Sequence, residues 1–582
     1  MGDFDIEKLL KQISELEAEL KTAKKYGLVW DKEHTKEEVV KRCETDIPVL
    51  INKASKKIVL GQGNNLLIEG DNYHVLTSLT FVLEGTINII YIDPPYNTGN
   101  KDFVYNDAFI GEDDGYRHSK WLSFLEKRLI LAKRLLTDDG VIFISIDEHE
   151  YAQLKLLCDK VFGESNYIEN FVWIKNATKN LSKTTSTNHE YVLCYCKNIS
   201  HFINSGDKFR TKKEGLDEVN HLIDTCKKAG MSPKETEKRL NELYKTDEKF
   251  KSLLLYKYVD DDYRIYTSDN PSAPVAKGTS KNNFDIIHPI TGKPCKKTNR
   301  GWGFSYEKSL ELIKNGMLLF GEDETRIPRL KRFLDTVQSE VQKSYIVDNT
   351  DGKKEVQKIF ESNDIFQNPK PTTLIKWLIK SFPNNSTILD FFAGSGTTGH
   401  AVIDLNKEDG GNRRFILCTN NENNICEEVT YPRLKTVITG KRQNGSVYSE
   451  GASTNLYYFK TDFIKDEANT EQAKYNLVEK VDALLCIAEN IFDEKERNDY
   501  SSHFMSGNKH LFIYNDYYNV QKFNEFKNRV LSAEGEKIIY VYSSDNNVDE
   551  SLIEGINIVL KPIPSKIYEI YKEIVEDIKR DE

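Results

Sequence analysis

The stretch Ile87–Asn100, "INIIYIDPPYNTGN", sets a run of strand-forming residues before an acid, two prolines and a tyrosine. Prolines fix the backbone and lack an N–H, so a turn built on them presents carbonyl oxygens rather than amides. The Asp93 carboxylate and a neighbouring prolyl carbonyl make two acceptors close together, suited to a group with two hydrogens such as an exocyclic amine. Tyr96 adds a flat face on which a ring can stack. Such a set holds the amino edge of a base flipped out of its helix. The amino nitrogen of adenine is a poor nucleophile because its lone pair is delocalised into the ring. Hydrogen bonds from both its N–H groups to Asp93 and a Pro carbonyl favour a pyramidal nitrogen and localise that pair for attack. The plainer alternative is a proline-rich turn with an incidental acid and tyrosine.

A second motif, Phe392–Gly399 "FAGSGTTG", follows a strand pattern and opens a helix pattern. Gly394, Gly396 and Gly399 satisfy GxGxxG, and Glu422 follows the next strand, where an acid can grip ribose hydroxyls. Glycines let the backbone approach a ligand, and a helix N-terminus favours an anion. Alone, the motif fits a dinucleotide oxidoreductase as well as a protein that binds S-adenosylmethionine. Pairing with the first motif decides between them: an amino-group clamp calls for a methyl donor, and a hydride donor would leave it idle.

Elements of both kinds are present to position these motifs. Strand patterns at Asn65–Asn72, Ile87–Ile92 and Gly140–Ile146 alternate with amphipathic helix patterns at His118–Leu136 and in "EHEYAQLKLLCDKVFG", ending at Gly163. Strands separated by helices of this length predict βαβ units and a parallel sheet. "STILDFFAGSGTTGHAVIDLNK" reads as strand, glycine loop and helix, and Arg414–Thr419 as a further strand. Asp5–Ala23 carries apolar residues at helical spacing and needs a partner, its own core or another copy of itself. From about Glu450 the chain is acidic and aromatic-rich, with strands in "HLFIYN" and "KIIYVYS" and a final helix around Ile567–Ile578.

A chain of 582 residues exceeds one core. The longest near-continuous apolar run is strand-sized, the N-terminus "MGDFDIEK" lacks a signal-peptide pattern, and a cytoplasmic protein with no membrane partner is expected. Nine cysteines show no CxxC spacing, so reduced thiols and no metal are expected. Net charge is −10, yet Phe171–Arg300 holds 24 Lys/Arg against 16 Asp/Glu, a local net of +8. That segment can be an electrostatic footprint for phosphates or a solvated Lys-rich insert.

With both motifs in view, the chain resembles the adenine-N6 DNA methyltransferases, specifically the modification subunits of Type III restriction-modification systems. The resemblance is carried by "KYGLVWDKE", "NLLIEGDNYHVLTSL", "INIIYIDPPYNTGNKDFVYND", "DDGVIFISIDEHE", "FGESNYIENFVW", "NHEYVLCYCKN", "RGWGFS" and "ILDFFAGSGTTGHAV", in the family's order. The catalytic motif precedes the cofactor motif, the β arrangement of this group. The resemblance implies an α/β, Rossmann-like S-adenosylmethionine-dependent methyltransferase with an inserted target-recognition domain. It places Asp93, Pro94, Pro95 and Tyr96 at the target adenine. It places Asp390, Phe392, Gly394, Gly396, Thr397, Thr398 and Glu422 at the cofactor, with Lys370 and Pro371 of "NPKPTTL" closing over it. The expected division is an N-terminal helical region (1–47), a catalytic half (48–169), the insert (170–367), a cofactor half (368–445) and a small C-terminal α/β domain (446–582). Expected partners are double-stranded DNA, a second copy of the chain and a restriction (helicase-nuclease) subunit. This chain has no GxxxxGK[ST] of its own to drive translocation. Cytosine-N4 methylation needs the same clamp, although that class more often carries Ser where Asp93 stands. A DNA-binding assembly subunit with catalysis lost would not need either motif intact.

Overall fold

The computed structural model describes residues 29–31, 37–106, 108–111, 113–175, 185–206, 208–273, 282–362, 365–465, 476–478, 480–516, 519–542, 548–563 and 565–581. The helix expected over Asp5–Ala23 lies outside them. The chain forms two compact units: Met1–Asp207 with Lys343–Glu582, and Lys208–Gln342.

The first unit is built on an eleven-stranded sheet. Its strands, in chain order, include β1 (Asp46–Asn52), β2 (Asn64–Glu69), β3 (Ile87–Ile92), β4 (Leu136–Ile146), β5 (Tyr167–Ile174) and β6 (His189–Cys196). They continue with β7 (Tyr345–Val347), β8 (Thr387–Asp390), β9 (Arg414–Thr419) and β10 (Asn455–Lys465). Across the sheet they run β1-β10-β2-β9-β8-β3-β4-β6-β5-β7, and the short strand Ile58–Val59 also pairs with β10. The block β2-β9-β8-β3-β4 is parallel throughout, and β6 lies antiparallel between β4 and β5. This is the parallel βαβ sheet that the alternating strand and helix patterns predict. Its central strands are buried on both faces, which is why "INIIYI", "GVIFISI" and "RFILCT" are near-continuous apolar runs.

Helices α1 (Asn72–Leu83), α2 (Arg117–Leu135), α3 (Tyr151–Phe162), α4 (Thr372–Ile379), α5 (Thr397–Asp409) and α6 (Tyr431–Thr439) belong to the same unit. α1 opens on Asp71, whose side chain accepts a hydrogen bond from the Tyr73 amide, and α3 closes at Gly163 with φ +96°. All nine cysteines are buried and unbridged. No helix among the described residues is long and apolar enough to cross a membrane.

Two boundaries differ from the sequence reading. The separate unit spans Lys208–Gln342, narrower than 170–367, because β6 pairs onto β4, β5 onto β6 and β7 onto β5. Polar residues in this stretch hide a sheet edge that no alternating pattern announces. The unit itself holds a four-stranded antiparallel sheet, a two-stranded sheet and helices at Leu216–Lys228, Pro233–Leu243 and Tyr306–Lys314. It carries 26 Lys/Arg and 21 Asp/Glu, so it is the basic part of an acidic chain. The expected C-terminal α/β domain (446–582) likewise does not stand apart from the first unit. β10 is inserted between β1 and β2 in the main sheet, and a following five-stranded sheet shares one hydrophobic core with it. Leu484, Ile567 and Ile570 from C-terminal helices join Leu76 and Leu79 of α1 in that core.

Shared burial predicts shared melting. Ile570 is 4% exposed, so Ile570→Ala should cost about 2–5 kcal/mol. Calorimetry should show the transition of the whole first unit moving down; a separate low-temperature transition with the main one unmoved would contradict the shared core.

Candidate active site

β3 ends because Pro94 and Pro95 cannot donate to a ladder, and the residue before a proline is held extended. In the parallel pairing of β3 with β8, Ile90 stands opposite Leu389. Asp93 and Phe392 each follow three residues on, so the two motifs emerge at the same level from adjacent strands. This is the point where chain order reverses across the sheet, the usual ligand crevice of such folds.

The DPPY turn is fixed by bonds from outside it. The Trp121 indole N–H of α2 donates to the Pro95 carbonyl at 2.7 Å. The Pro94 carbonyl accepts no hydrogen bond among the described residues. Asn97, fully buried with φ +57°, donates to the buried carboxylate of Glu150, which also binds the His118 Nδ1 at 2.6 Å. Burial raises the Glu150 pKa against these partners. Sequence reasoning left open which prolyl carbonyl serves the clamp; the structure commits Pro95 to Trp121 and leaves Pro94.

Around Asp93 stands a cluster of charges. The Lys370 ammonium lies 2.8 Å from both Asp93 carboxylate oxygens and 3.4 Å from Glu190 Oε2. It also sits 4.8 Å from the Tyr96 ring centroid. Glu190, near the start of β6, accepts from the Tyr96 hydroxyl at 3.1 Å and from Lys175. Burial opposes the charge on Glu190, but Lys370 and Lys175 outweigh it and hold the carboxyl below its usual range. Burial likewise opposes the charge on Lys370, and Asp93 and Glu190 reverse it, raising the ammonium's pKa. Lys370 was expected over the cofactor; the structure seats it on Asp93, because α4 begins just beyond it and leads the chain past the end of β3.

The glycine loop is shaped from behind. Asp390, 2% exposed, accepts from the Phe392 amide at 2.9 Å and the Thr398 hydroxyl at 2.6 Å. Gly394 (φ +47°) and Gly396 (φ +80°) take conformations that side chains resist, and a Cβ on Gly394 would stand 3.1 Å from the Phe366 ring. The fully buried Arg433 of α6 donates to the Ser395 and Thr397 hydroxyls at 2.9 Å each. Thr397 and Thr398 therefore spend their hydroxyls inside the protein, Asp390 is a loop brace, and Pro371 lies at the N-cap of α4.

In front of the loop opens a cavity of about 570 Å³. Asp93, Pro94, Pro95, Phe392, Gly394 and Glu422 all line it, so six of the expected residues meet there. Its volume falls within the range for small-molecule sites. The lining fits an adenosine-bearing amino acid: Phe392 and Phe366 offer ring faces, Gly394 offers bare backbone, and the exposed Glu422 offers a carboxylate. At its wall the buried Arg128 grips Glu37 through two hydrogen bonds of 2.6 and 3.2 Å, and Asn72 ties the same corner to the Phe391 carbonyl. Glu190, Trp121, Arg128 and Arg433 had no assigned role in the sequence. "NHEY" was quoted for the resemblance, and only the fold brings Glu190 beside Tyr96.

Comparison with known proteins agrees with this geometry. A profile of the DNA methylase family matches residues 87–431. The chain is 34% identical to the Type III restriction-modification enzyme EcoP15I Mod subunit of Escherichia coli, over 71% of this chain and 67% of that protein. It is 32% identical to the EcoPI Mod subunit of Escherichia phage P1, over 72% and 67% respectively. The Type II methyltransferase M.KpnI of Klebsiella pneumoniae is 33% identical, over 60% of this chain and 79% of that protein. The chain thus spans about two thirds of the length of the two Mod relatives.

Burial raises the Asp390 pKa from 3.8 to about 7, against the Thr398 and Phe392 hydrogen bonds and assisted by Asp93. A folded-state value above the unfolded one means the stability from this group is fully present at low pH. It is lost as pH rises through about 7. Stability of Asp390→Asn, measured by urea unfolding, should therefore gain on wild type between pH 4 and 8; a difference constant across that range would contradict the assignment.

Proposed function

Because this chain belongs to the DNA methylase family, we propose that it is the modification subunit of a Type III restriction-modification system and methylates N6 of adenine at a short recognition sequence. One observation carries the reading: the Asp93 carboxylate, and a Pro94 carbonyl that accepts no hydrogen bond among the described residues, stand at one strand end, level with a ligand-sized cavity at the next.

The methyl donor is S-adenosylmethionine, which supplies an electrophilic methyl group when bound. Phe392, Gly394 and Glu422 would hold it, with Asp390, Thr398 and Arg433 keeping the loop in shape behind. The chain's own contribution is positioning. Asp93 and the Pro94 carbonyl accept the two amino hydrogens of the flipped base, and the Tyr96 ring supports its face. The nitrogen lone pair is then directed at the cavity in near-attack geometry. Asp93 need not be a strong base, since the nitrogen becomes acidic once methylated and the proton can leave afterwards. A carboxylate in the acceptor position favours adenine over cytosine here.

The basic unit Lys208–Gln342 is the proposed reader of double-stranded DNA, its Lys and Arg contacting phosphates. By similarity to the Mod subunits, the chain would pair with a restriction subunit, act as a homodimer and reside in the cytoplasm.

The test is single-molecule long-read sequencing of DNA from cells expressing this chain alone, beside Asp93→Ala. N6-methyladenine should appear at one motif on one strand and vanish in the variant. Methylation at cytosine N4 instead would overturn the base assignment, and an unmodified genome from folded protein that binds S-adenosylmethionine would overturn autonomous methylation.

A further inference from the structure

We propose that Lys370 is a place-holder for the target amino group: in the free protein its ammonium occupies the acceptor end of the clamp, and Glu190 is the seat to which it withdraws when a base enters. The inference rests on the methyltransferase reading above.

The geometry is that of an occupied clamp. An ammonium 2.8 Å from both Asp93 oxygens uses the lone pairs that an incoming amino group needs. Lying 4.8 Å from the Tyr96 centroid, it also stands on the ring where the base would stack. A base can enter only as the ammonium leaves. The second seat is already in place, because Glu190 Oε2 is 3.4 Å away, and moving about 0.5 Å closer would make a charge-assisted hydrogen bond. Glu190 is held for this by Tyr96 on one oxygen and Lys175 on the other.

Charge explains why a cation waits there. The groups facing the clamp are the carboxylates Asp93 and Glu190, the ammoniums Lys370 and Lys175, the phenols Tyr91 and Tyr96, and Asp390 on the neighbouring strand. With Lys370 present, Asp93 and Glu190 are both paired with its ammonium. The target amine is neutral, so its arrival moves Lys370 from one carboxylate to the other without changing the local charge. Without Lys370, two carboxylates would share the site with Lys175 alone. Like charges repel, and Asp93 would be left facing Glu190 with no cation of its own to hold it in place. Lys370 and Glu190 are thus positioning residues, acting through Asp93.

The test is a double-mutant cycle on the full chain. kcat and KM for unmethylated DNA are measured with labelled S-adenosylmethionine from pH 6 to 9.5, for Lys370→Met, Glu190→Gln, the double variant and Lys370→Arg. Calorimetric affinity for S-adenosylmethionine reports folding. Lys370→Met should lose about tenfold or more in kcat at pH 7 with KM little changed. Glu190→Gln should lose kcat alone but cost nothing further in the Lys370→Met background, where it relieves repulsion of Asp93. Lys370→Arg, keeping the charge, should keep the wild-type pH profile. Additive losses, or full kcat in Lys370→Met with normal cofactor affinity, would overturn the proposal. No transfer by wild type would instead overturn the methyltransferase reading, and this inference with it.

Discussion

β3 and β8 lie side by side in parallel with Ile90 opposite Leu389, and that register sets the level at which everything else at the site meets. A slip of one residue would turn every side chain of β3 to the other face. It would also separate Asp93 from the loop that begins after Asp390. Burial on both faces resists such a slip: Ile89, Ile90, Ile92, Ile388 and Leu389 are all fully inaccessible. Nothing at the strand ends need be rigid by itself, because the sheet beneath holds each end in place.

On that frame, the site is a problem of buried charge. Charges removed from water are tolerated when paired and hydrogen-bonded. Asp93 has Lys370, Glu190 has Lys370 and Lys175, and Arg128 has Glu37. Asp390 follows another course, keeping its proton to about pH 7 while two donors brace it. The glycine loop and the DPPY turn thus share one corner with two carboxylates in different surroundings. Asp390 supports a backbone conformation through two donors, and Asp93 is paired with Lys370.

Much of this was legible in the sequence because short-range chemistry fixes it. The strand ending at "DPPY", the "FAGSGTTG" loop and the intervening helices followed from periodicity, proline and glycine, and the structure places them within a residue or two of expectation. Partners far apart in sequence were not legible. Glu190 reaches Tyr96 across 94 positions and Lys370 reaches Asp93 across 277. Trp121 looked like a core residue on an apolar helix face, which it also is, and nothing local says that its indole serves the Pro95 carbonyl. Thr397 and Thr398 are ligand contacts by the family resemblance. Their hydroxyls turn inward instead, to satisfy Arg433 and Asp390. β5 and β6 fall mostly within the expected insert and β10 within the expected C-terminal domain, because their pairing into the main sheet depends on partners elsewhere in the chain that no local pattern shows.

The most direct test of the central claim is a crystal structure of the protein with a non-reactive S-adenosylmethionine analogue and a duplex carrying its recognition sequence. The account predicts the target adenine stacked on Tyr96, with its amino nitrogen about 3 Å from an Asp93 oxygen and from the Pro94 carbonyl. Lys370 should then be bonded to Glu190, and the analogue should lie along Phe392, Gly394 and Glu422. An adenine seated elsewhere, with Lys370 still on Asp93, would contradict it.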